Sequence, residues 1–283
     1  MTAALPHAIG RRLPALLALL VLVATSACRQ DAKARSSGRA GSAAAGTTTV
    51  ESAGEVVIAA PDARYAAGPV ASPGTVSGVV ATSAPLAPDS AVATGKDAAV
   101  CGPAIADSSV QQHGTGLGNA VVWLEGVRTG KPVPLEKRLE LESDHCILIP
   151  RVQTAMTGGA VNVLAHEDLR QHLRFMAGGE REPRATILLG KDEQVIPTEL
   201  PVKAPGLVIV HDGDHPWVRG YIAVFDHPYA TVTKPDGSFS LDQVPPGTYT
   251  LVAWHERTGR TEQRVTVPAN GTVKVTMDMK SVN

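Results

Sequence analysis

Thr231-Val232-Thr233-Lys234-Pro235-Asp236-Gly237-Ser238-Phe239-Ser240-Leu241 and, a few residues on, Pro245-Pro246-Gly247-Thr248-Tyr249-Thr250-Leu251-Val252-Ala253-Trp254 decide the fold. Pro235-Asp236-Gly237 separates two short β-prone runs, and Asp and Gly tolerate positive φ, so the pattern predicts a hairpin. Pro245-Pro246-Gly247 marks the next turn. From Thr248 to Trp254 a strand is expected with Tyr249, Leu251 and Ala253 on one face. Downstream, Arg264-Val265-Thr266-Val267 and Val273-Lys274-Val275-Thr276-Met277 alternate apolar and polar, which buries one face of each strand and wets the other. Strands joined in this way build a β-sandwich.

Upstream the same grammar recurs. Val76-Ser77-Gly78-Val79-Val80, Ala120-Val121-Val122-Trp123-Leu124 and Val161-Asn162-Val163-Leu164 are short β-branched and apolar runs. Ala185–Leu189, Gly206–Val210 and Tyr221–Phe225 follow the same pattern, and each run fits a strand better than a helix. His166 to Met176 lacks a clean apolar stripe and reads as loop with at most one helical turn. Aromatic content is 4%, against 27 Gly and 21 Pro in 283 residues, which suits short strands with many turns and not a helical bundle.

The N-terminus has the order of a secretory signal: Arg11 and Arg12, an apolar run from Leu13 to Val23, then Ala24-Thr25-Ser26-Ala27. The run is short for a membrane span. Cys28 follows the small residues, where a bacterial lipoprotein carries its lipid anchor, although Thr25 stands where Leu is usual. Simple cleavage after Ala27 is the alternative. From Arg29 to about Gly54 the chain is rich in Ala, Ser, Gly and Thr without apolar period, as expected of a flexible tether. Residues 1–27 are read as signal peptide and 28–55 as disordered tether. The product is expected in the periplasm or at the outer membrane or cell surface, with the membrane as partner through Cys28.

With Cys28 set aside, Cys101 and Cys146 remain. In an oxidising compartment such a pair most often forms a disulfide, worth roughly 4 kcal/mol on chain entropy for a loop of this size. Two separate buried thiols are the alternative. Net charge is −1, without runs of Lys or Arg, so no nucleic-acid partner is expected.

Nine histidines raise the question of a metal. The densest cluster is His211-Asp212-Gly213-Asp214-His215-Pro216-Trp217-Val218-Arg219-Gly220, and Asp168 to Phe175 lies upstream. The two segments resemble the copper-binding segments of cupredoxins, most of all the amicyanin type. That family has a first His in a His-x-x-x-Phe context and a late Cys-x-x-His-Pro-aromatic-Met-Arg-Gly loop. His172 with Phe175, one residue closer in spacing, answers to the first, and His215-Pro216-Trp217 with Arg219-Gly220 matches the second. Asp212 stands in the place of the cysteine ligand and Val218 in that of the methionine. A blue copper centre needs a short thiolate bond, so electron transfer of that kind is not expected. The resemblance implies His172, His215 and Asp212 at one end of a sandwich, with His211 and Asp214 as spares. Such a set would suit Zn²⁺ or Cu²⁺. The alternative is a vestigial site with no cofactor, its histidines hydrogen-bonded to loop backbone.

Asp236-Gly237-Ser238-Phe239 and Leu241-Asp242-Gln243-Val244-Pro245-Pro246-Gly247-Thr248-Tyr249 resemble the carboxypeptidase regulatory-like (transthyretin-like) module. Gly74 to Val80 resembles how such modules open. The expected fold is therefore all-β: a cupredoxin-like Greek-key sandwich over 56–225, then a carboxypeptidase regulatory-like segment over 226–283, with His227 as a structural linker. Together they look like a bacterial family of exported regulatory-like proteins.

Catalytic signatures fail. His166-Glu167 has its next histidine at His172, so the i, i+4 pair of a zinc protease is absent. No Gly-x-Ser-x-Gly elbow occurs. Trp254-His255-Glu256 reads as a strand end and not as an acid–base pair. The function expected is a non-catalytic, exported binding or structural module with a cell-envelope component or another protein as partner. The alternatives are a Zn²⁺- or Cu²⁺-binding protein and a carbohydrate-binding module using Trp123, Trp217 or Trp254.

Overall fold

The computed structural model describes residues 64–191, 193–195 and 202–280. The expectations for the signal peptide, the tether and Cys28 lie outside the described residues.

The longer strands, in chain order, are β1 (Gly74–Thr82), β2 (Val121–Glu125), β3 (Leu139–Asp144), β4 (Ile147–Ile149) and β5 (Val152–Met156). They continue with β6 (Val161–Ala165), β7 (Gln171–Ala177), β8 (Ala185–Leu189), β9 (Gly206–Asp212) and β10 (Arg219–Phe225). The last are β11 (Ala230–Val232), β12 (Ser238–Val244), β13 (Gly247–His255), β14 (Gly259–Val267) and β15 (Thr272–Met279). The fold is all-β, as expected. Helix among the described residues is confined to a 3-10 turn at Gly95–Asp97 running into Ala98–Cys101.

These strands form two sandwiches, and the chain passes between them twice. In the first, β1 lies between β12 (antiparallel) and β15 (parallel). The facing sheet runs β11-β2-β13-β14. Val76, Leu117, Leu124, Phe239, Leu251 and Met277 are among the residues that fill its core. The second is a Greek-key sandwich formed wholly within 139–225. One sheet runs β4-β3-β6 and ends on Gln194–Val195, and the other runs β5-β10-β9-β7-β8. Leu173, Phe175, Val210 and Ile222 lie in its core.

This topology corrects the division expected at 225/226. β1 and β2 belong to the same two sheets as β11 to β15, so the sandwich expected over 226–283 is discontinuous and the Greek-key sandwich is inserted into it. Alternation in sequence fixes which face of a strand is buried but not which strand is its neighbour.

Two more expectations change. Gln171–Ala177, expected as loop, is a central strand whose Gln171, Leu173, Phe175 and Ala177 are buried while His172 and Arg174 are exposed. The signal was a period of two, split between polar and apolar residues. The Pro235-Asp236-Gly237 turn forms, with the Gly237 N–H donating to the Lys234 carbonyl (2.8 Å) and Gly237 at φ 78°. It is not a hairpin, because β11 pairs with β2 and β12 pairs with β1. The turn carries the chain from one sheet to the other.

A third apolar cluster joins the sandwiches. Val121 and Trp123 of β2 and Val252 and Trp254 of β13 pack on Leu207 of β9 and Tyr221, Ala223 and Phe225 of β10. Trp123 meets Phe225 at 5.7 Å between ring centroids, and Tyr221 meets Trp254 edge-on at 5.3 Å. Val122 and Leu124 turn to the opposite side, into the first core. Burial on both faces is why β2 and β10 read as unbroken apolar runs instead of alternating ones. His227 lies between Phe225 and Tyr229, at 5.7 and 6.2 Å, and its Nδ1 accepts the Tyr229 N–H (3.2 Å). Burial holds its pKa below the ordinary histidine value, in keeping with the linker role expected of it.

Candidate functional site

Asp212 ends β9, and its side chain is closed off from solvent. Oδ2 faces His215 Nδ1 at 2.9 Å and accepts the backbone N–H of His172 at 3.0 Å. Oδ1 accepts the Asp214 N–H at 2.8 Å. The loop between β9 and β10 closes through the Val218 N–H to the His215 carbonyl (2.9 Å). On its other side, His215 Nε2 stands 3.4 Å from Asp97 Oδ2, and the Trp217 ring stacks obliquely on the imidazole at 5.3 Å.

The three residues expected as metal ligands are thus not gathered as a ligand set. Strand alternation in β7 sends Gln171 and Leu173 inward and His172 outward. The His172 imidazole is half exposed and lies 3.5 Å from Asp214 Oδ2. Only its backbone reaches Asp212. Among the described residues no group of three or more His, Cys, Asp or Glu could hold a metal ion. Asp212 is occupied as a hydrogen-bond hub for its own loop, and Val218 is buried in the second core. His211, one of the spares, sits half-buried, paired in register with Arg174 and Arg219.

Cys101 and Cys146 form the expected disulfide, with their Cα atoms 5.6 Å apart. It fastens the short helix Ala98–Cys101 to the turn between β3 and β4, where His145 and Cys146 take positive φ. The Cys146 N–H donates to Glu167 Oε1 (2.6 Å). The same excursion of the chain, hairpinned through Val92–Ala93 and Ala104–Ile105, brings Asp97 to His215 and carries Asp89 and Asp107.

Beneath that excursion, beside the seam between the sandwiches, lies a cleft of about 320 Å³. Sequence reasoning missed it, because its parts come from five separate stretches. Arg151, just before β5, makes a two-pronged ion pair with Glu256: Nε to Oε1 at 2.5 Å and Nη2 to Oε2 at 2.7 Å. Its Nη1 donates to Ser108 Oγ at 3.0 Å. Arg257 reaches the loop wall, with Nη1 on Asp107 Oδ2 and Nη2 on Asp89 Oδ1, both at 3.0 Å. Burial opposes the charge on Asp107. The Ser109 hydroxyl and the backbone N–H groups of Asp89 and Ser109, with Arg257, outweigh it and hold the carboxyl below the ordinary aspartate range. Trp217, Arg219 and Tyr221 also line the cleft. Burial raises the pKa of the Tyr221 hydroxyl, with Glu256 adding to the rise and Arg219 and Arg151 opposing it.

His255 sits next to these groups at the end of β13, fully buried. Its Nδ1 accepts the Arg257 N–H at 3.1 Å, and its Nε2 has no partner among the described residues. Burial, above all, lowers its pKa to about 4. At neutral pH the ring is uncharged and serves to set the Arg257 backbone. The sequence signal for this corner was the Trp254-His255-Glu256-Arg257 run. Its meaning depends on Arg151 and Asp107, both more than 100 residues away in the chain.

Residues 208–280 match the carboxypeptidase regulatory-like domain family. The match begins in β9 of the inserted sandwich and runs through β15. It leaves β1 and β2 outside, although they complete the same sheets. No curated protein matches the chain. Among solved structures, amicyanin from Paracoccus versutus (Thiobacillus versutus) is 18% identical, with 33% of this chain and 85% of that one covered and a TM-score of 0.28. The copper-containing nitrite reductase from Thermus scotoductus SA-01 is 21% identical, with 36% of this chain covered and a TM-score of 0.27. The likeness spans 24% of that enzyme's length. At these values the likeness carries nothing about chemistry.

Proposed function

We propose that this chain is an exported, envelope-tethered binding module without catalytic chemistry of its own, and that its ligand site is the cleft at the junction of the two sandwiches. One observation supports this reading above the others: Arg151, Glu256, Arg257 and Asp107 are held by fixed partners, so much of the cleft lining is preformed. Glu256 gives both oxygens to Arg151, Asp107 accepts four hydrogen bonds, and His255 is buried and neutral. Groups so engaged are poor acids, bases or nucleophiles but good walls, since a site that needs no reorganisation binds at lower entropic cost.

Export and tethering rest on the Arg11 to Ala27 leader and on Cys28, and the Cys101–Cys146 disulfide is what an oxidising compartment favours. Cell fractionation with metabolic palmitate labelling tests that half of the reading. Label in wild type and none in Cys28→Ser supports it, and a cytoplasmic, unlabelled, reduced protein defeats it. A thermal-shift screen of polar small molecules, repeated on Trp217→Ala, tests the binding half. A stabilising ligand lost with the variant supports the cleft.

A further inference from the structure

The charges lining the cleft are balanced in number but not in place. Arg151 and Glu256 cancel as a two-pronged pair. On the loop wall, Arg257 alone answers two carboxylates, Asp89 and Asp107. That wall carries one negative charge in excess. Arg219, which lines the same cleft, is exposed, and no carboxylate pairs with its guanidinium among the described residues. It adds one unanswered positive charge. The cleft therefore holds an unanswered charge of each sign, with Trp217 and Tyr221 as aromatic lining.

The two acids are not equally available. Asp107 is 10% exposed and already accepts four hydrogen bonds, whereas Asp89 is 72% exposed and spends only Oδ1 on Arg257. A volume of about 320 Å³ lies at the small end for ligand pockets. It suits a molecule of a few heavy atoms.

We infer that the cleft binds a small zwitterion, of the amino-acid or betaine class, with its carboxylate on Arg219 and its cationic nitrogen toward Asp89. This rests on the cleft being the binding site proposed above. A guanidinium takes a carboxylate in a planar fork, and the exposed Asp89 carboxylate attracts a cationic nitrogen. A plain anion satisfies Arg219 but brings its charge toward the Asp89–Asp107 wall. A plain cation makes the converse error, and a neutral sugar leaves both excess charges unanswered. Discrimination therefore comes from mismatch as much as from attraction.

The test is calorimetric titration of the full chain with glycine betaine and L-alanine, against acetate, tetramethylammonium and glucose. The expected result is binding of a zwitterion with at least tenfold preference over all three controls. Arg219→Gln and Asp89→Asn, both exposed positions, should each weaken it at least tenfold. Acetate binding as well as betaine, with Asp89→Asn silent, would show an anion site and overturn the inference. Glucose binding lost in Trp217→Ala would overturn the zwitterion while leaving the binding module standing. No heat from any of the five, with no stabilising ligand in the wider screen, would remove both.

Discussion

Arg151 and Glu256 are 105 residues apart in the chain, yet they meet in a two-pronged ion pair beside the seam between the sandwiches, their side chains 13% and 7% exposed. Arg151 leads into β5 of the inserted sandwich, and Glu256 follows β13 of the other. The pair therefore ties one to the other where Tyr221 and Trp254 end the aromatic seam, with the Arg151 guanidinium 6.0 Å from the Tyr221 ring centre. Removing one partner leaves a charge out of water with no counter-ion, which costs about 3–5 kcal/mol. Glu256→Gln should lose stability on that scale by urea denaturation. The double variant Arg151→Met with Glu256→Leu should recover most of it. A single variant within about 0.5 kcal/mol of wild type would mean that water already screens the pair.

His255 should make the protein sensitive to mild acid. Its folded pKa of about 4 lies below the ordinary 6.5, so between those values the unfolded chain takes up a proton that the folded chain refuses. Stability from this residue is complete above pH 6.5 and is lost as pH falls toward 4. The difference of 2.5 units corresponds to about 3 kcal/mol. In His255→Asn, which keeps an acceptor for the Arg257 N–H, the slope of unfolding free energy against pH across that window should flatten. Parallel curves for variant and wild type would assign the acid sensitivity elsewhere.

Those two residues also show where the sequence stopped being legible. Strand runs such as Ala185–Leu189 and Tyr221–Phe225 were readable because their composition reports burial directly. The disulfide was readable because two cysteines remained after Cys28 was set aside. Pairing was not. Nothing within Gly74–Thr82 says that it lies beside Thr272–Met279, since that neighbour is chosen by a core assembled from both ends of the chain. β7 was hidden because Gln171 is buried on its inner face, hydrogen-bonding Ser143 Oγ at 2.8 Å, where an apolar residue is the usual signal. The nearness of Asp212 and His215 was what the cupredoxin resemblance implied, though as metal ligands and not as a hydrogen-bonded pair. The outward turn of His172 follows from strand alternation, which applies only once the segment is known to be a strand.

Asp212 should prove structural. Three donors converge on it: the Nδ1 of His215 and the backbone N–H groups of His172 and Asp214. Each buried donor left without an acceptor costs about 1–3 kcal/mol. Asp212→Ala should therefore destabilise by more than 2 kcal/mol, whereas Asp212→Asn keeps one acceptor oxygen and should lose less. Equal stability of wild type and Asp212→Ala, measured by thermal unfolding, would show that the loop holds itself without this hub.

Trp123 is the test of whether the sandwiches unfold together. It is 1% exposed and fills the seam against Phe225. Truncation to Ala empties a large volume between two preformed sheets that cannot collapse into it, at about 3–5 kcal/mol. Because the lost contacts lie between the cores and not within either, the calorimetric transition should broaden or split. A single sharp transition at lower temperature would instead mean that each core depends on the other beyond the seam.

The disulfide should act locally as well as globally. In Cys101→Ala with Cys146→Ala the closed loop opens, at about 4 kcal/mol on chain entropy. The helix Ala98–Cys101 loses its covalent hold on the β3–β4 turn, and Asp97 its position against His215. Arg257 still grips Asp89 and Asp107, so the cleft wall is retained on the side nearest β13. Hydrogen exchange should accordingly speed up over residues 92–105 and change little in β13, whose amides lie in a sheet between β2 and β14. Unchanged exchange over 92–105, with stability within about 1 kcal/mol of wild type, would show that the side-chain contacts hold this excursion unaided, since engineered and native bridges vary between nothing and about 5 kcal/mol.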